Sequence, residues 1–384
     1  MKFSGTRTLT LVSVAVAAVV LAACGKKEAA SDVQVIKIGH VGPVSGAIAH
    51  LGKDNENGTR LAVEELNAKK IKVADKTLKF ELVSEDDQCD PKSGVSVAQK
   101  MVDSGIKYVM GPYCSGVAIP TSRVYDDGSV LVSTVGTNPK VTDGGYKNIF
   151  RIVAGDNQIG TGMATYAAKV LKAKTVAVID DRTAFGQGLA AEFMKEAKNQ
   201  GLTVVAQEYT TDKSTDFSAI LTSIKAKKPE VIFYGGYAPQ AAPMVRQMKQ
   251  LAVTAKMLGG DTLCSPEMGK IGGEAINDVV FCAQGGAMLD KSTDGPAFKA
   301  KYKKRFNQDA DVYAASFYDQ AMFVAQSMSK AGSIEPEKVS MEMRKSSYKG
   351  VAANYAYDDK GNMKQAPITV FTFKNTQLAP LASY

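Results

Sequence analysis

Short apolar runs alternate along the chain with longer segments in which apolar residues recur every three or four positions. In the first part of the chain these runs are residues 35–41, 78–83 and 108–110. Runs of this length are typical of buried strands, whereas the wider spacing is typical of helices packed on one face. One helix is predicted to begin at Asp90-Pro91, because Asp caps free N–H groups and Pro suits the first helical position.

The same order of elements returns in the middle of the chain. Its predicted strands are residues 175–179, 202–206 and 231–234. One helical stripe between them includes Leu189 and Phe193, and a second helix is predicted to begin after capping residues at 214–216. Alternating strands and helices build parallel sheets through right-handed crossovers. The sequence therefore predicts an α/β fold with two lobes of similar design, each a parallel sheet flanked by helices.

The loops after the predicted strands are rich in glycine and hydroxyl residues. They are residues 42–52, 112–116, 133–138, 180–188, 235–239 and 260–265. Ligands of open α/β sheets bind beyond the carboxyl ends of the strands. Two facing lobes would bring these loops around one cleft, where glycine lets the backbone approach a small ligand closely.

The N-terminus has two basic residues followed by an apolar run over residues 9–23. The small residues before Cys24 fit a lipoprotein signal peptide, in which residues 1–23 are removed and Cys24 receives lipid. A transmembrane anchor is the alternative, but the run is shorter than a typical span of ~20 residues and is followed by glycine and lysine. We expect a lipid-anchored chain with a tether at residues 24–33.

Composition and charge exclude a nucleic-acid partner. The chain is 45% hydrophobic and carries a formal charge of +8, of which two positive charges leave with the signal peptide. Its densest basic cluster is Lys301, Lys303, Lys304 and Arg305. We interpret this short cluster as a solvated helix face rather than as a basic stripe that binds nucleic acid.

The four cysteines beyond Cys24 are Cys89, Cys114, Cys264 and Cys282. In an exported protein an even set indicates disulfides, and four cysteines allow three pairings. Sequence proximity favours pairing within the first two and within the last two, each bond adding about 3 kcal/mol. Zinc is disfavoured, because no CxxC motif occurs and the histidines are His40 and His50 alone. No metal or cofactor is expected.

No catalytic motif is complete. The serine-containing loops lack the G-x-S-x-G spacing, and neither a Walker A motif nor a full dinucleotide fingerprint occurs. His40 is expected to be an ordinary strand residue, and His50 to lie at the cleft lip or surface. The carboxylates at 85–87 could form an acid/base pair or a calcium site, but a solvated loop is the favoured interpretation. The sequence favours a protein that is not an enzyme.

Several short motifs occur in a characteristic order between residues 36 and 372. They are Gly42-Pro43-Val44-Ser45-Gly46-Ala47-Ile48-Ala49, Cys89-Asp90-Pro91-Lys92, Gly105-Ile106-Lys107-Tyr108-Val109-Met110-Gly111, Thr137-Asn138-Pro139, Phe185-Gly186-Gln187-Gly188, Phe217-Ser218-Ala219, Tyr234-Gly235-Gly236-Tyr237 and Tyr357-Asp358-Asp359-Lys360-Gly361. No single motif is specific. Their order and spacing resemble the leucine/isoleucine/valine-binding proteins, the periplasmic substrate-binding proteins of branched-chain amino acid ABC transporters.

The resemblance implies a type I periplasmic binding protein fold, with two lobes joined by three crossovers. The first lobe would comprise residues 34–153 and 284–358, and the second lobe residues 154–283 and 359–384. The resemblance also implies the disulfide between Cys89 and Cys114. It does not imply the second disulfide.

The resemblance further implies which residues bind the two charged ends of an amino acid. The hydroxyls of Ser115 and Thr137, with the backbone at Val135 and Gly136, would bind the carboxylate. Asp261 would bind the ammonium group. These roles suit the chemistry, since a carboxylate needs hydroxyl and N–H donors, and an ammonium needs an anion.

The remaining positions implied by the resemblance shape the pocket. Tyr237 would support the ligand and Phe185 would cover it. Two residues depart from the family pattern. Leu51 replaces an aromatic of the first loop, and Asp261 is one methylene shorter than the usual Glu. A methylene of mismatch is worth about 1 to 3 kcal/mol, so a branched aliphatic ligand remains favoured. A contribution from 313–318 is expected without assignment to single residues.

The leading functional hypothesis is a monomeric, lipid-anchored periplasmic protein that closes on an amino acid and delivers it to an inner-membrane permease. An enzyme on the same frame is disfavoured by the missing nucleophile and base. A ligand-sensing subunit for amides or other small polar metabolites is the third class, because this fold also serves in receptors. The sequence leaves the preferred amino acid open.

Overall fold

The computed structural model describes Met1 and residues 32–286 and 288–383. The N-terminal apolar run and the predicted lipid attachment site Cys24 lie outside this part of the chain. Within it, no helix is long and apolar enough to cross a membrane.

The first predicted series of strands forms one sheet. Its strands are β1 (Val33–Gly42), β2 (Lys72–Val73), β3 (Lys76–Asp86), β4 (Tyr108–Met110), β5 (Leu131–Thr134) and β6 (Ile149–Arg151). They lie in the order β2-β3-β1-β4-β5-β6, and only β2 is antiparallel to its neighbour. The carboxyl ends of the parallel strands therefore share one edge.

Four helices connect these strands. They are α1 (Ala49–Lys69), α2 (Pro91–Asp103), α3 (Ser115–Asp127) and α4 (Lys140–Asp143). The predicted start of α2 is confirmed, since the Asp90 carboxylate accepts a 2.8 Å hydrogen bond from the Ser93 N–H, and Pro91 is the first helical residue. This cap satisfies one of the N–H groups that every helix start leaves without a partner.

The second series forms the second sheet and its helices. They are α5 (Asp156–Lys169), β7 (Thr175–Asp180), α6 (Ala184–Asn199), β8 (Thr203–Tyr209), α7 (Ser218–Ala226), β9 (Val231–Gly235), α8 (Ala238–Gln250), β10 (Lys256–Gly259), α9 (Pro266–Gly272) and β11 (Val280–Gly285). The strands β7 to β11 are parallel. The helix α7 starts slightly later than predicted, because Phe217 rather than 214–216 precedes its first turn.

The chain then returns to the first sheet. It forms α10 (Gly295–Phe306), α11 (Ala314–Ala331), α12 (Pro336–Lys345) and the short strands β12 (Tyr348–Lys349) and β13 (Asn354–Tyr355). The long helix α11 packs against α1 and β4. Ion pairs also join α10 to α1, including one of 2.8 Å between Arg305 and Glu64.

The last two strands, β14 (Ile368–Lys374) and β15 (Gln377–Ser383), join the second sheet. That sheet has the order β15-β14-β11-β10-β9-β7-β8, and both added strands are antiparallel to their neighbours. The α/β fold with two lobes and three crossovers is confirmed. Each sheet is parallel, as predicted, except for the added antiparallel strands β2 in the first sheet and β14 and β15 in the second. The exact residues that bound each lobe stay a prediction.

Candidate ligand-binding cleft

A cavity of about 710 Å³ opens between the two lobes. The first lobe lines it with residues 45–48 and 88–91, and the second lobe with residues 182–185. Its other lining residues are Cys114, Gly116, Asp212, Lys213, Tyr237 and Gln240. These segments follow the carboxyl ends of strands in both sheets, which is where open α/β sheets bind ligands.

Two disulfides are present, and both predicted pairs are confirmed. Cys89 is bonded to Cys114, which directly precedes α3, and both residues line the cavity. Cys264 is bonded to Cys282, which joins the turn after β10 to β11. The first disulfide thus fixes the loop after β3 to the start of α3, where a predicted ligand-binding residue lies.

The hydroxyl residues predicted to bind a carboxylate lie close together in the first lobe. Ser115 is the first residue of α3, and its hydroxyl accepts a 3.2 Å hydrogen bond from the Asn138 N–H. Thr137 lies in the turn that follows β5, with Val135 and Gly136, and all of these residues are buried. Because β4 and β5 are parallel neighbours, the segments that follow them meet at one edge of the sheet.

Asp261 occupies a corresponding place in the second lobe. It begins a short 3₁₀ turn, Asp261–Leu263, after β10, and is 2% exposed. Its Oδ2 accepts a 2.8 Å hydrogen bond from the Tyr313 hydroxyl, whereas its Oδ1 is buried without a partner among the described residues. Burial raises the pKa of Asp261 to about 6, although the hydrogen bond from Tyr313 acts in the opposite direction.

Tyr313 is the residue of the segment 313–318 that contacts a predicted site residue. It directly precedes α11, which packs on the first sheet, so its bond to Asp261 crosses between the lobes. Its ring lies 6.4 Å from that of Tyr113, centroid to centroid. The segment 313–318 therefore brings an aromatic ring and a hydroxyl donor to the predicted ammonium site.

Two further aromatic residues lie in the second lobe, as predicted. The rings of Phe185 and Tyr237 are 5.3 Å apart, centroid to centroid, and both residues are buried and line the cavity. The Tyr237 hydroxyl lies 3.8 Å from the Cys89 sulfur of the first lobe. A Cβ atom on Gly260, the residue before Asp261, would lie 3.7 Å from the Phe185 ring.

Leu51 differs from its predicted setting. It lies in the first turn of α1 rather than in a loop, and it is 2% exposed within the core of the first lobe. Ile48, which precedes α1, lines the cavity instead. The helix starts earlier than expected, because the backbone of residues 46–51 already makes turn hydrogen bonds.

The acidic segment 85–87 is not a solvated loop, contrary to the prediction, because Glu85 and Asp86 are the last residues of β3. Asp87 is fully buried, and its carboxylate accepts a 2.8 Å hydrogen bond from the Cys89 N–H. Burial raises its pKa to about 6. Asp86 accepts a 3.0 Å hydrogen bond from the Val44 N–H and so ties two cleft loops together. No group of His, Cys, Asp or Glu residues suited to a metal ion occurs in residues 32–286 and 288–383.

Several polar atoms near the interface are buried without a partner among the described residues. Besides Asp261 Oδ1, they include the Tyr113 hydroxyl and Nε2 of His50, which lies in the first turn of α1. A buried polar atom without a hydrogen bond costs about 1 to 3 kcal/mol. A ligand with a positive group beside Asp261 would remove part of this cost.

The family model for periplasmic binding proteins matches residues 35–377. The chain belongs to the periplasmic binding protein family. The leucine-, isoleucine-, valine-, threonine- and alanine-binding protein of Pseudomonas aeruginosa is 32% identical to it over 360 residues, which are 92% of this chain and 94% of that protein. The Leu/Ile/Val-binding protein BraC3 of Rhizobium johnstonii is 36% identical over 301 residues, or 78% of this chain and 80% of that protein.

A solved structure extends the likeness to the fold. A leucine-binding protein from Thermotoga maritima matches with a TM-score of 0.83 and 26% identity, over 91% of this chain and 98% of that one. The sequence resemblance to the leucine/isoleucine/valine-binding proteins is thereby confirmed. In this periplasmic binding protein, sequence reasoning missed Tyr113, and it predicted Tyr313 only as part of the segment 313–318.

Proposed function

We propose that this periplasmic binding protein binds a branched-chain or related small amino acid in the cleft and presents it to the permease of an ABC transporter. The observation that carries the proposal is an acidic group in one lobe together with hydroxyl donors in the other. Asp261 offers a buried, unpaired carboxylate oxygen from the second lobe. Ser115 and Thr137 offer hydroxyl groups from adjacent segments of the first lobe.

An amino acid carries a positive charge that suits the Asp261 carboxylate and a negative charge that suits the two hydroxyl groups. Its ammonium group would donate to Oδ1 of Asp261, and its carboxylate would accept from the Ser115 and Thr137 hydroxyls and from the backbone at 135–137. Charge-assisted hydrogen bonds of this kind are stronger than neutral ones, and they strengthen when water is excluded. The names of the relatives, which bind leucine, isoleucine and valine, support this assignment.

The walls of the site favour an apolar side chain on the ligand. Phe185 and Tyr237 form an aromatic pair that lines the cavity, and a second pair is formed by Tyr113 and Tyr313, whose hydroxyl donates to Asp261. Apolar surface removed from water contributes about 25 cal/mol per Å². A branched aliphatic side chain is therefore the favoured occupant.

Calorimetric titration of the mature protein with leucine, isoleucine, valine and the other amino acids tests the proposal. We expect Asp261→Asn to weaken binding by about two orders of magnitude or more, because it removes the anion opposite a buried ammonium. Asp290→Asn is the matched control, since the Asp290 side chain is 75% exposed. Equal binding of leucine by Asp261→Asn and the parent protein would show that the ammonium site is elsewhere.

We also propose that Cys24 carries lipid and holds the protein, as a monomer, at the periplasmic side of a bacterial membrane. The family supports the periplasmic location, and the residues before Cys24 support the lipid. Radiolabelled palmitate should enter the parent protein and not Cys24→Ser. A parent protein whose mature N-terminus is another residue, without label, would overturn the anchor.

A further inference from the structure

A buried arginine lies directly behind the turn that is proposed to bind the ligand carboxylate. Arg151 ends β6 and is 3% exposed. Its Nη1 donates to three consecutive backbone carbonyls of that turn, those of Gly136, Thr137 and Asn138. The three carbonyl oxygens of the turn therefore all point towards one guanidinium nitrogen.

No carboxylate is among the hydrogen-bond partners of Arg151 in the described part of the chain. Its other acceptors are the Thr142 hydroxyl and Oδ1 of Asn362. The Thr142 hydroxyl lies 2.6 Å from Nη2, and Asn362 Oδ1 lies 3.0 Å from Nε and 2.8 Å from Nη2. The hydrogen-bond acceptors of Arg151 are thus neutral groups, while the charges of Asp156, Asp143 and Asp358 lie close enough to act on it. Burial lowers the pKa of Arg151 to about 10, so the side chain remains a cation at neutral pH.

The carbonyl contacts fix the direction of the opposite N–H groups. A peptide unit is planar and trans, so its N–H points away from its C=O. The Thr137 carbonyl faces Arg151, and the Asn138 N–H of the same peptide unit faces the Ser115 hydroxyl instead. The Gly136 carbonyl also faces Arg151, which turns the Thr137 N–H towards the side of Ser115. Among the described residues that N–H has no hydrogen-bond partner.

We propose that Arg151 is a positioning residue for ligand recognition: it orients the 136–138 turn so that the Thr137 N–H meets the ligand carboxylate, and it supplies the positive charge that balances this anion. Arg151 does not contact the ligand itself. This inference rests on the proposed function, since it requires a ligand with a carboxylate.

The same residue connects the turn to a crossover between the lobes. The backbone N–H of Arg151 donates a 2.8 Å hydrogen bond to the Gly361 carbonyl, and its guanidinium donates to the Asn362 side chain. The Asn362 N–H in turn donates to the Asp358 carboxylate at 2.8 Å. The carboxylate turn and the segment between β13 and β14 therefore form one hydrogen-bonded unit.

Arg151→Met, which removes charge and donors while keeping an unbranched side chain, tests the proposal. Arg344→Met is the matched control. Arg344 also donates to backbone carbonyls beside this crossover, those of Lys147 and Asp358, but it makes no hydrogen bond to the 136–138 turn. Calorimetry would give the dissociation constants of leucine and of leucinamide, which lacks the carboxylate, for the parent and both variants.

We expect Arg151→Met to weaken leucine binding by about tenfold to a hundredfold, because charge-assisted bonds are lost or misdirected. Leucinamide binding should change much less, and Arg344→Met should leave both constants near those of the parent. Equal losses for leucine and leucinamide would overturn the positioning role, as would equal losses of leucine binding in Arg151→Met and Arg344→Met. The comparison of leucine binding in Arg151→Met and Arg344→Met tests the positioning role even when leucinamide binds the parent too weakly to measure.

If Arg151→Met does not fold, Asn362→Leu removes the acceptor of two Arg151 donors without touching the turn. We then expect a several-fold loss of leucine affinity, and unchanged affinity in the folded variant would overturn the proposal. A parent protein that binds no amino acid would refute the proposed function instead. The two failures are thus distinguishable.

Discussion

Ser115 illustrates how one side chain can be prepared for a ligand by its place in the chain. It begins α3 directly after the disulfide residue Cys114, and its hydroxyl already accepts from the Asn138 N–H. The hydroxyl therefore has its proton available to donate elsewhere. Its position at a helix start adds the positive end of the helix dipole, which favours an anion at this point.

Ser115→Ala should weaken amino-acid binding by about tenfold to a hundredfold, since one donor to a carboxylate is lost. Ser122→Ala is a suitable control, because Ser122 is buried on the same helix but donates to the Ala118 carbonyl at 2.7 Å. Titration of both variants with leucine measures the difference. Similar affinities in the two variants would exclude a carboxylate contact from Ser115.

The pKa of Asp261 leads to a prediction about pH. Burial raises this pKa to about 6, and only the ionised carboxylate can balance an ammonium group. Affinity should therefore be higher at pH 7 and fall by about tenfold at pH 5, where roughly one carboxyl in ten is ionised. Titrations across this range should show the fall in the parent protein and a flat profile in Asp261→Asn. A flat parent profile would contradict the assignment.

Single site residues were predicted from the family resemblance, which located them in loops. Ser115, Thr137 and Asp261 lie in the segments that follow β4, β5 and β10. Their ligand roles stay predictions. Tyr313, as an individual residue, and Arg151 were missed because their importance depends on distant partners: Tyr313 pairs with a residue 52 positions away, and Arg151 with Asn362, 211 positions away. No local sequence pattern predicts contacts between residues so far apart in the chain.

At the scale of elements, local periodicity predicted three strands in each series, which are β1, β3 and β4 and then β7, β8 and β9. It also predicted helices between them, because each buries one face against a sheet. It did not predict that α10 to α12 pack on the first sheet, nor that β14 and β15 are antiparallel in the second. The return to the first lobe was expected only from the family resemblance. Long-range placement depends on which surfaces remain uncovered after the two sheets form, and that information is not local.

The two disulfides should have different effects when removed. Each closes a loop of roughly twenty residues, for which the chain-entropy model gives about 3 kcal/mol of stability. Replacing either pair by serine should therefore lower the thermal midpoint. Loss of Cys89–Cys114 should also weaken ligand binding more than loss of Cys264–Cys282, because the first bond lines the cavity and fixes the residue before Ser115. Within the described residues, Cys264 acts on the site only through the hydrogen bond from its N–H to the Asp261 carbonyl.

Calorimetry on the two double-serine variants, by thermal scan and by leucine titration, checks this expectation. The Cys264–Cys282 variant is the comparison, since it removes a disulfide of similar loop length that does not line the cavity. A loss of affinity of equal size in both variants would indicate a general effect of destabilisation rather than a local effect on the cleft.

At the scale of the whole molecule, hydrogen bonds between the lobes surround the proposed ligand. Tyr313 donates to Asp261, and Ser265 of the second lobe donates to Asp311 at 3.0 Å. Asn138 of the first lobe donates to the Ala184 carbonyl at 2.7 Å. The interface is therefore polar as well as apolar, which is typical of domain interfaces that open and close.

Burial of carboxyl groups in both lobes should make the stability of the protein depend on pH. Burial raises the pKa of Asp156 and of Asp311 to about 8, and that of Asp319 to about 7. In the unfolded chain these groups have the ordinary value near 3.8. Between pH 6.5 and 8.5 the folded state therefore binds more protons than the unfolded state, and by linkage its stability decreases as pH rises.

The histidines act in the opposite sense but below this window. Burial lowers the pKa of His40 to about 3, so its contribution to stability is present above the ordinary value of 6.5 and is lost as pH falls below it. Thermal scans without added ligand should thus give a higher midpoint at pH 6.5 than at pH 8.5. Asp156→Asn should reduce this difference, because the amide has no charge to bury, whereas exposed Asp290→Asn should not change it. A midpoint that rises between pH 6.5 and 8.5 would mean that these carboxyl groups are ionised in the folded protein and balanced by charges within the fold.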